Sequence, residues 1–404
     1  MTPKSPAPVP SPWMLDPKTI FLNHGSFGSC PRPVLEYQIV LRERLERQPV
    51  QFLVRELEDL LDQARGELAR FVGGCADDLV FVQNATTGVN TVLRSLRFEP
   101  GDELLVTDHE YNACRNALDF VAQLWRARVV VASIPFPLQT ADQITEAVLA
   151  GVTSRTRLVL LDHVTSQTGL ILPIERLVCS LNQRGIDTLV DGAHAPGMVP
   201  LDLQRIGAAY YTGNCHKWIC APKGAGFLYV REDRQHLIRP LAISHGGNSP
   251  RKDRSRFLIE FGWTGTLDPS ACLSIPEALR CIGALLPGGW PEVMSRNRAL
   301  ALAGRKTICR ALNINLPCPD ELIGSLASIP IADANATDAA PSSPLYSDPL
   351  QDRLRLEFGI EVPIIPWPAP PKRLLRISAQ IYNSLPQYEL LGEALAKTQV
   401  TPTE

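Results

Sequence analysis

The chain lacks most of the marks that would set it apart from ordinary globular enzymes. None of its 10 cysteines forms a CxxC pair, and the nearest two, Cys215 and Cys220, bracket Lys217 with no second Cys/His cluster. A zinc centre is therefore excluded, and no metal is expected. No secretory leader precedes these scattered thiols, so reduced cysteines and a cytoplasmic location are the expectation. No apolar run approaches the length of a membrane span, and the longest, such as 158–161, suit buried strands. A dominant charge is missing too. The formal net charge is -2, Lys and Arg are dispersed, and no basic block offers a surface for nucleic acid or an acidic membrane. There is no internal repeat.

What is present is room for a large core. With 404 residues, 45% hydrophobic and 20% charged, the chain suits two domains of a soluble enzyme. Residues 1–17 are rich in Pro and Ser and read as a flexible arm. Apolar residues recur at three- and four-residue steps over 33–47 and 51–71, predicting helices. From Leu79 the pattern changes to short apolar runs at 79–82, 103–106, 129–131, 158–161, 187–190, 208–211 and 226–230, with helices at 141–149 and 174–184 between them. Runs without polar alternation fit strands covered on both faces, hence a mostly parallel seven-stranded sheet in an α/β fold. Helices at 270–286, 290–312 and 387–397, with short strands among them, predict a smaller α+β C-terminal domain. The expected division is a large domain over 18–265, whose first segment packs on the small domain, and a small domain over 266–404. The stretch 332–344 is small, polar and Pro-containing and reads as an exposed loop.

Polar motifs follow the strands. Asn84-Ala85-Thr86-Thr87-Gly88 opens an amphipathic helix, and its hydroxyls and backbone N–H groups offer either a phosphate cradle or an ordinary N-cap. Asp108-His109-Glu110-Tyr111 places an aromatic residue that can stack on a flat ring or simply fill a loop. His163 and Thr165-Ser166-Gln167-Thr168-Gly169 follow the next strand, and Asp191-Gly192-Ala193-His194 and Asn214-Cys215-His216-Lys217-Trp218 follow the two after it. Open α/β sheets bind ligands beyond such strand ends. A lysine amine paired with a strand-end aspartate is what pyridoxal phosphate (PLP) chemistry requires: the amine links to the cofactor and the acid keeps the pyridine nitrogen protonated. Lys223 is a rival to Lys217 by residue type alone.

In this order the motifs resemble the class V aminotransferases of PLP-dependent transferase fold type I. Phe21-Leu-Asn-His-Gly-Ser-Phe-Gly28 and His216-Lys-Trp-Ile-Cys-Ala-Pro-Lys-Gly224 resemble the isopenicillin N epimerase-like branch. The resemblance implies Lys217 as the cofactor lysine, Asp191 as partner of the pyridine nitrogen, Tyr111 as the stacking residue with His109 as substitute, and His194 on the phenolic oxygen. It further implies Thr86, Asn214 and His216 at the phosphate, with Thr87 as neighbour. Thr266, in Trp263-Thr-Gly-Thr-Leu-Asp268, would reach the phosphate of a partner subunit in a homodimer. Arg376, in Leu375-Arg-Ile-Ser378, would clamp the substrate α-carboxylate, a task suited to a planar guanidinium. Asn23, His24 and Ser26 either line the substrate side or form a tight turn.

The scaffold does not choose the reaction. The resemblance implies chemistry at the α-carbon of an amino acid, epimerisation or racemisation, with C–S bond cleavage of a cysteine-derived substrate by β-elimination as the alternative. Cysteine desulfurases use a nucleophilic cysteine near the C-terminus, whereas the last cysteine here is Cys318. That demotes desulfuration, leaving Cys215 and Cys220 to be located. Transamination and cofactor binding without turnover stand with it behind the two main readings.

Overall fold

The structure, a computed structural model, describes residues 12–334 and 348–400. Expectations for residues 1–11 and 335–347 lie outside the described residues. After the short strand β1 (Ile20–Phe21) comes a central sheet built from β2 (Leu79–Val82), β3 (Glu103–Thr107), β4 (Arg128–Ala132), β5 (Thr156–Asp162), β6 (Asp187–Gly192), β7 (Tyr210–Asn214) and β8 (Gly226–Val230). The order is β2-β8-β7-β6-β5-β3-β4, and only β8 runs against its neighbours. Every residue of β3, β7 and β8 is buried, as the unbroken apolar runs require. Each fully buried Leu, Ile or Val in these strands contributes about 1.5–3 kcal/mol.

The strands reach further toward their C-terminal ends than apolar pattern alone predicts. Asp162 and Asp191 stay in register as neighbours of β5 and β6, and Asn214 pairs with Gly226. Backbone pairing is indifferent to side-chain polarity, so the ladder carries these polar groups into the sheet edge. Ala208 and Ala209 instead precede β7. Two expected helices are subdivided. A π-helical turn, Gln51–Glu56, leads into Leu57–Val72, and Ser270–Leu273 is separated from Ile275–Gly283. The second break falls just before Pro276, which has no N–H to continue a helix and sits comfortably in a first turn.

The C-terminal part contains β9 (Leu326–Ile331), β10 (Ile360–Glu361), β11 (Ile364–Pro366) and β12 (Arg373–Ser378), with β11-β12-β9 an antiparallel sheet. The N-terminal segment joins it. β1 pairs in parallel with β10, and the Ser378 N–H donates to the Leu22 carbonyl at 2.9 Å. The described end of the arm is also held: Trp13 is buried, packs edge-on to Tyr382, and donates its indole N–H to the Ser29 carbonyl.

Two glycines set how closely the pieces approach. At Gly28, with φ +68°, a Cβ would lie 2.0 Å from the His216 carbonyl oxygen, so the opening loop lies directly on the backbone beside Lys217. At Gly88 a Cβ would lie 2.1 Å from Thr212 Oγ1, so the helix Ala85–Ser95 rests against β7.

Candidate active site

The topology gathers the polar motifs at one edge. β7, β6, β5 and β3 are adjacent and parallel, so Lys217, Asp191, His163 and Tyr111 all follow the same ends of neighbouring strands. A cavity of about 560 Å³ opens there between the sheet and the C-terminal part, and it contains Lys217, Tyr111 and Arg376. Lys223 is elsewhere. Its ammonium donates to the Gly28 carbonyl at 3.1 Å, fastening the opening loop.

Lys217 Nζ lies 3.0 Å from His194 Nε2, and the Trp218 indole N–H donates to His194 Nδ1 at 3.4 Å. With Nδ1 accepting, a neutral imidazole carries its proton on Nε2, and the lysine must then be the acceptor. The arrangement holds Lys217 as the free amine. Burial, followed by the Arg376 guanidinium, lowers its pKa to about 7, against the opposing pull of Asp191 and Asp162. Burial first, then the Lys217 charge, drives His194 well below its ordinary value, so the imidazole stays neutral.

Asp191 is buried but supplied with donors: the Ala193 N–H at 2.8 Å to Oδ1 and the Cys114 thiol at 3.1 Å to Oδ2. Two further carboxyls, Glu110 and Asp162, are buried beside it. Both Glu110 oxygens and Asp162 Oδ2 have no hydrogen-bond donor. Burial, reinforced by neighbouring negative charge, raises Glu110 and Asp162 well above the usual carboxylate range. Two carboxyls in contact without a donor between them are satisfied when one keeps its proton. Asp191, raised less sharply and fed by two donors, is the member suited to bear the negative charge.

Arg376 is 4% exposed and has no carboxylate partner among the described residues. Its Nη1 donates to the Ser166 carbonyl at 2.6 Å and its Nη2 to Ser26 Oγ at 2.8 Å, while Nε has no acceptor. Burial lowers its pKa to about 10. A buried guanidinium lined up on neutral acceptors is costly to maintain without an anion.

The expected phosphate residues lie at the neighbouring strand ends. Asn84 caps the helix Ala85–Ser95 by accepting the N–H and hydroxyl of Thr87, and Asn214 Oδ1 accepts the Ala85 N–H at 2.8 Å, so β7 and this helix N-terminus are tied together. Thr86 lies on the first turn of that helix, and the buried Nδ1 of His216 has no partner. A helix N-terminus carrying the Thr86 hydroxyl, tied through Asn214 to the strand that leads to His216 and its unpaired ring nitrogen, fits a phosphate. The full donor set, an amine, a strand-end carboxylate, an aromatic ring and this cradle, fits PLP. Thr266 is exposed and does not line the cavity.

Several residues sit differently from expectation. Asn23 and Ser26 line the cavity, but His24 is fully buried behind Lys217 and makes no part of the cavity wall. His109 is also buried away from it, bonded to Thr168 and the Ile134 carbonyl and packed edge-on to Trp367, so it cannot stand in for Tyr111. Cys215 and Cys220 are fully buried, and burial pushes both thiols up. Neither lines the cavity, which removes them as candidate nucleophiles. Glu110, Cys114, Trp218, Gln351 and Glu361 were not marked by sequence. Glu110 stood inside a quoted motif, whereas Glu361 reaches the cavity only through the pairing of β1 with β10.

Comparison with known proteins gives the family and the fold. The class V aminotransferase model matches residues 45–318. The chain is 36% identical over 395 residues to an isopenicillin N epimerase of Amycolatopsis lactamdurans, covering 94% of this chain and 95% of that one. It is 31% identical to a probable chloroplastic L-cysteine desulfhydrase of Arabidopsis thaliana, covering 94% of this chain and 83% of that one. Among solved structures, a cystine C–S lyase in complex with its product cysteine persulfide superposes with a TM-score of 0.76, at 22% identity over 94% of this chain and 97% of the other. That last likeness speaks for the fold alone.

Proposed function

The chain belongs to the class V aminotransferase family, and from that premise we propose that it is a PLP-dependent enzyme acting at the α-carbon of an amino acid, in the manner of an isopenicillin N epimerase. The observation that carries the substrate class is Arg376, a buried cation in the same cavity as Lys217 that is paired with no carboxylate among the described residues. A substrate α-carboxylate supplies the missing anion and two acceptor oxygens for the fork.

PLP, when bound, supplies an electron sink that makes loss of a proton from the α-carbon affordable. The chain's own residues do the rest. Lys217 would hold the cofactor, and its free amine would accept the α-proton and return it. Its lowered pKa matches the transfer to neutral pH. Asp191 would keep the ring nitrogen protonated, with His194 at the phenolic oxygen and Tyr111 at the ring. Thr86, Thr87, Asn214 and His216 hold the phosphate. Arg376 fixes the orientation of the substrate, with Asn23 and Ser26 beside it.

One observation favours the second reading, C–S cleavage by β-elimination. Among the described residues, Lys217 is the one amine or imidazole lining the cavity. Elimination needs a single base and a leaving group, whereas inversion needs protonation from the opposite face as well. Incubation with L-amino acids and cysteine conjugates in D2O separates them. Deuterium at the α-carbon of a product of inverted configuration supports epimerisation, and pyruvate with released thiol or sulfide supports elimination. Absence of both with every substrate overturns the α-carbon reading.

The same reading includes a homodimer. Val50, Val54 and Ile243 are exposed, and a separate cleft of about 430 Å³ is walled by Leu53, Val54, Leu57 and Leu61. Thr266 lies on the surface, where a partner's phosphate site can receive it. All ten cysteines are free thiols, which supports a reducing cytoplasm. Sedimentation of the holoenzyme tests the assembly, and an active, PLP-saturated monomer would sink it.

A further inference from the structure

Among the described residues, the cavity wall contains one acidic side chain, Glu361, set apart from the acidic group behind the ring site. It stands on β10, with 22% of its side chain exposed. Two amides address it, each with its orientation fixed from behind. Asn23 accepts the Ser26 hydroxyl on Oδ1, so its Nδ2 donates to Glu361 Oε1 at 3.3 Å. Gln351 accepts the Ile364 N–H on Oε1 at 3.0 Å, so its Nε2 approaches the same Glu361 oxygen at 3.5 Å. Both contacts are long and both go to Oε1. Oε2 has only the guanidinium of Arg355 at 3.9 Å, on a side chain 65% exposed to solvent. The carboxylate thus keeps acceptor capacity that the protein does not fill.

Its position relative to Arg376 gives that capacity a use. Arg376 Nη2 donates to Ser26 Oγ, Ser26 donates to Asn23, and Asn23 donates to Glu361. A three-bond relay therefore joins the cavity's buried cation to its single carboxylate. Fully stretched, such a chain spans on the order of 11 Å, within reach of an amino acid with a side chain of a few carbons. Gln167, Asn112 and Asn116 keep the remaining polar wall neutral. Apart from the site's own Lys217 and Arg376, no cation among the described residues lines the cavity to welcome a second anion.

Resting on the reading of Arg376 as the α-carboxylate clamp, we propose that Glu361 selects an α-amino acid whose side chain ends in a cationic N–H donor, an ammonium or a guanidinium. Such a group completes the Glu361 carboxylate with a charge-assisted bond, while an acidic side chain is repelled and a plain alkyl chain leaves Oε2 unused.

The test is titration of the holoenzyme's cofactor absorbance with L-ornithine, L-norvaline and L-glutamate, which share a similar length and differ at the tip. L-Ornithine should bind about tenfold or more tightly than L-norvaline, with L-glutamate the weakest. Glu361→Gln should remove the preference for L-ornithine while leaving L-norvaline binding and the melting temperature near wild type. Glu361→Lys should shift it toward L-glutamate. Equal binding of L-ornithine and L-norvaline by the wild type, or an ornithine preference that survives Glu361→Gln, overturns the proposal. If L-norvaline binds and responds to loss of Arg376, the parent reading stands whatever Glu361 does. A spectrum that no amino acid perturbs removes the parent reading and this one together.

Discussion

His24 grips Lys217 by its backbone: Nε2 lies 3.0 Å from the Lys217 carbonyl oxygen, and Nδ1 lies 2.8 Å from the Tyr382 hydroxyl. A carbonyl only accepts, so Nε2 carries the proton and Nδ1 receives the tyrosine O–H. Burial lowers the His24 pKa to about 3, which keeps this tautomer neutral at any working pH. The opening Asn-His-Gly-Ser loop therefore does two jobs. Asn23 and Ser26 face the cavity, and His24 fixes the turn that presents the amine.

Replacing His24 by Ala should cost about 2–4 kcal/mol of stability, since it leaves a cavity and removes the side-chain donor to the Lys217 carbonyl, which then keeps only the Cys220 N–H. Cofactor release should quicken as Lys217 loses its anchor. Tyr382→Phe, which removes only the hydroxyl, should cost about 1 kcal/mol. Because His24 does not titrate between pH 5 and 9, the loss should be flat across that range. Melting curves and cofactor-release rates check both variants, and cofactor retention equal to wild type in His24→Ala would refute the anchoring role.

For Lys217 the expected signature is in pH. In the cofactor-free protein its amine titrates near 7, far below its unfolded value of 10.5. Capture of added PLP should accelerate as pH rises toward 7 and level off above. Between pH 7 and 10.5 the unfolded chain binds the extra proton, so this residue makes the cofactor-free protein more stable as pH rises. Lys217→Ala should flatten that slope and abolish the covalent link, read by borohydride reduction and peptide mapping. Trp218→Phe should act more gently, raising the capture pKa because the His194 tautomer is no longer fixed.

Much of this site was legible because strand-end motifs are local. Asp191, His194, Asn214 and Lys217 each sit within three residues of a strand end or on it, and a parallel sheet brings successive strand ends to one edge whatever the connecting helices do. The apolar runs gave the seven strands, though Asp162, Asp191 and Asn214 lay beyond the expected ends because ladder pairing continues past the apolar stretch. What escaped depended on distant contacts. Whether His24 or Asn23 faces the substrate is decided by Lys217 and Tyr382, and Glu361 enters the cavity by pairing with a strand some 340 residues earlier. Trp13, within an arm otherwise rich in Pro and Ser, is held by Ser29 and Tyr382, contacts that composition does not encode.

The carboxyls Glu110 and Asp191 should respond oppositely to amide substitution. Asp191→Asn should retain cofactor while losing most turnover, roughly 100-fold or more, because an amide cannot stabilise a protonated ring nitrogen as an anion does. Glu110→Gln replaces a group whose folded pKa lies well above its ordinary value of 4.5 through burial and the neighbouring Asp191 charge. A raised carboxyl stabilises the fold fully below its unfolded pKa and loses that contribution as pH rises. The variant should therefore gain on the wild type with increasing pH above about 5. Urea denaturation across pH checks the crossing, and parallel curves for the two proteins would place the shared proton elsewhere.

Arg376 offers the clearest separation of a binding role from a structural one. A structural arginine is paired, and removing it leaves its partner stranded at a cost of about 3–5 kcal/mol. Arg376 has no carboxylate to strand: its acceptors are the Ser166 carbonyl and hydroxyl and the Ser26 hydroxyl. Arg376→Met should thus be neutral or stabilising in the absence of substrate, since it relieves a desolvated charge. Lys217 should titrate higher in the variant, because the second cause of its lowered pKa is the Arg376 guanidinium. The KM for amino acids should rise by about 100-fold, the loss of a charge-assisted pair of bonds, while simple amines without a carboxylate are affected far less. Arg376→Lys should recover only part of the loss, because an ammonium presents one point of charge where the carboxylate expects a fork. Lowered stability together with an unchanged KM would make Arg376 a structural residue and move the carboxylate site elsewhere in the cavity.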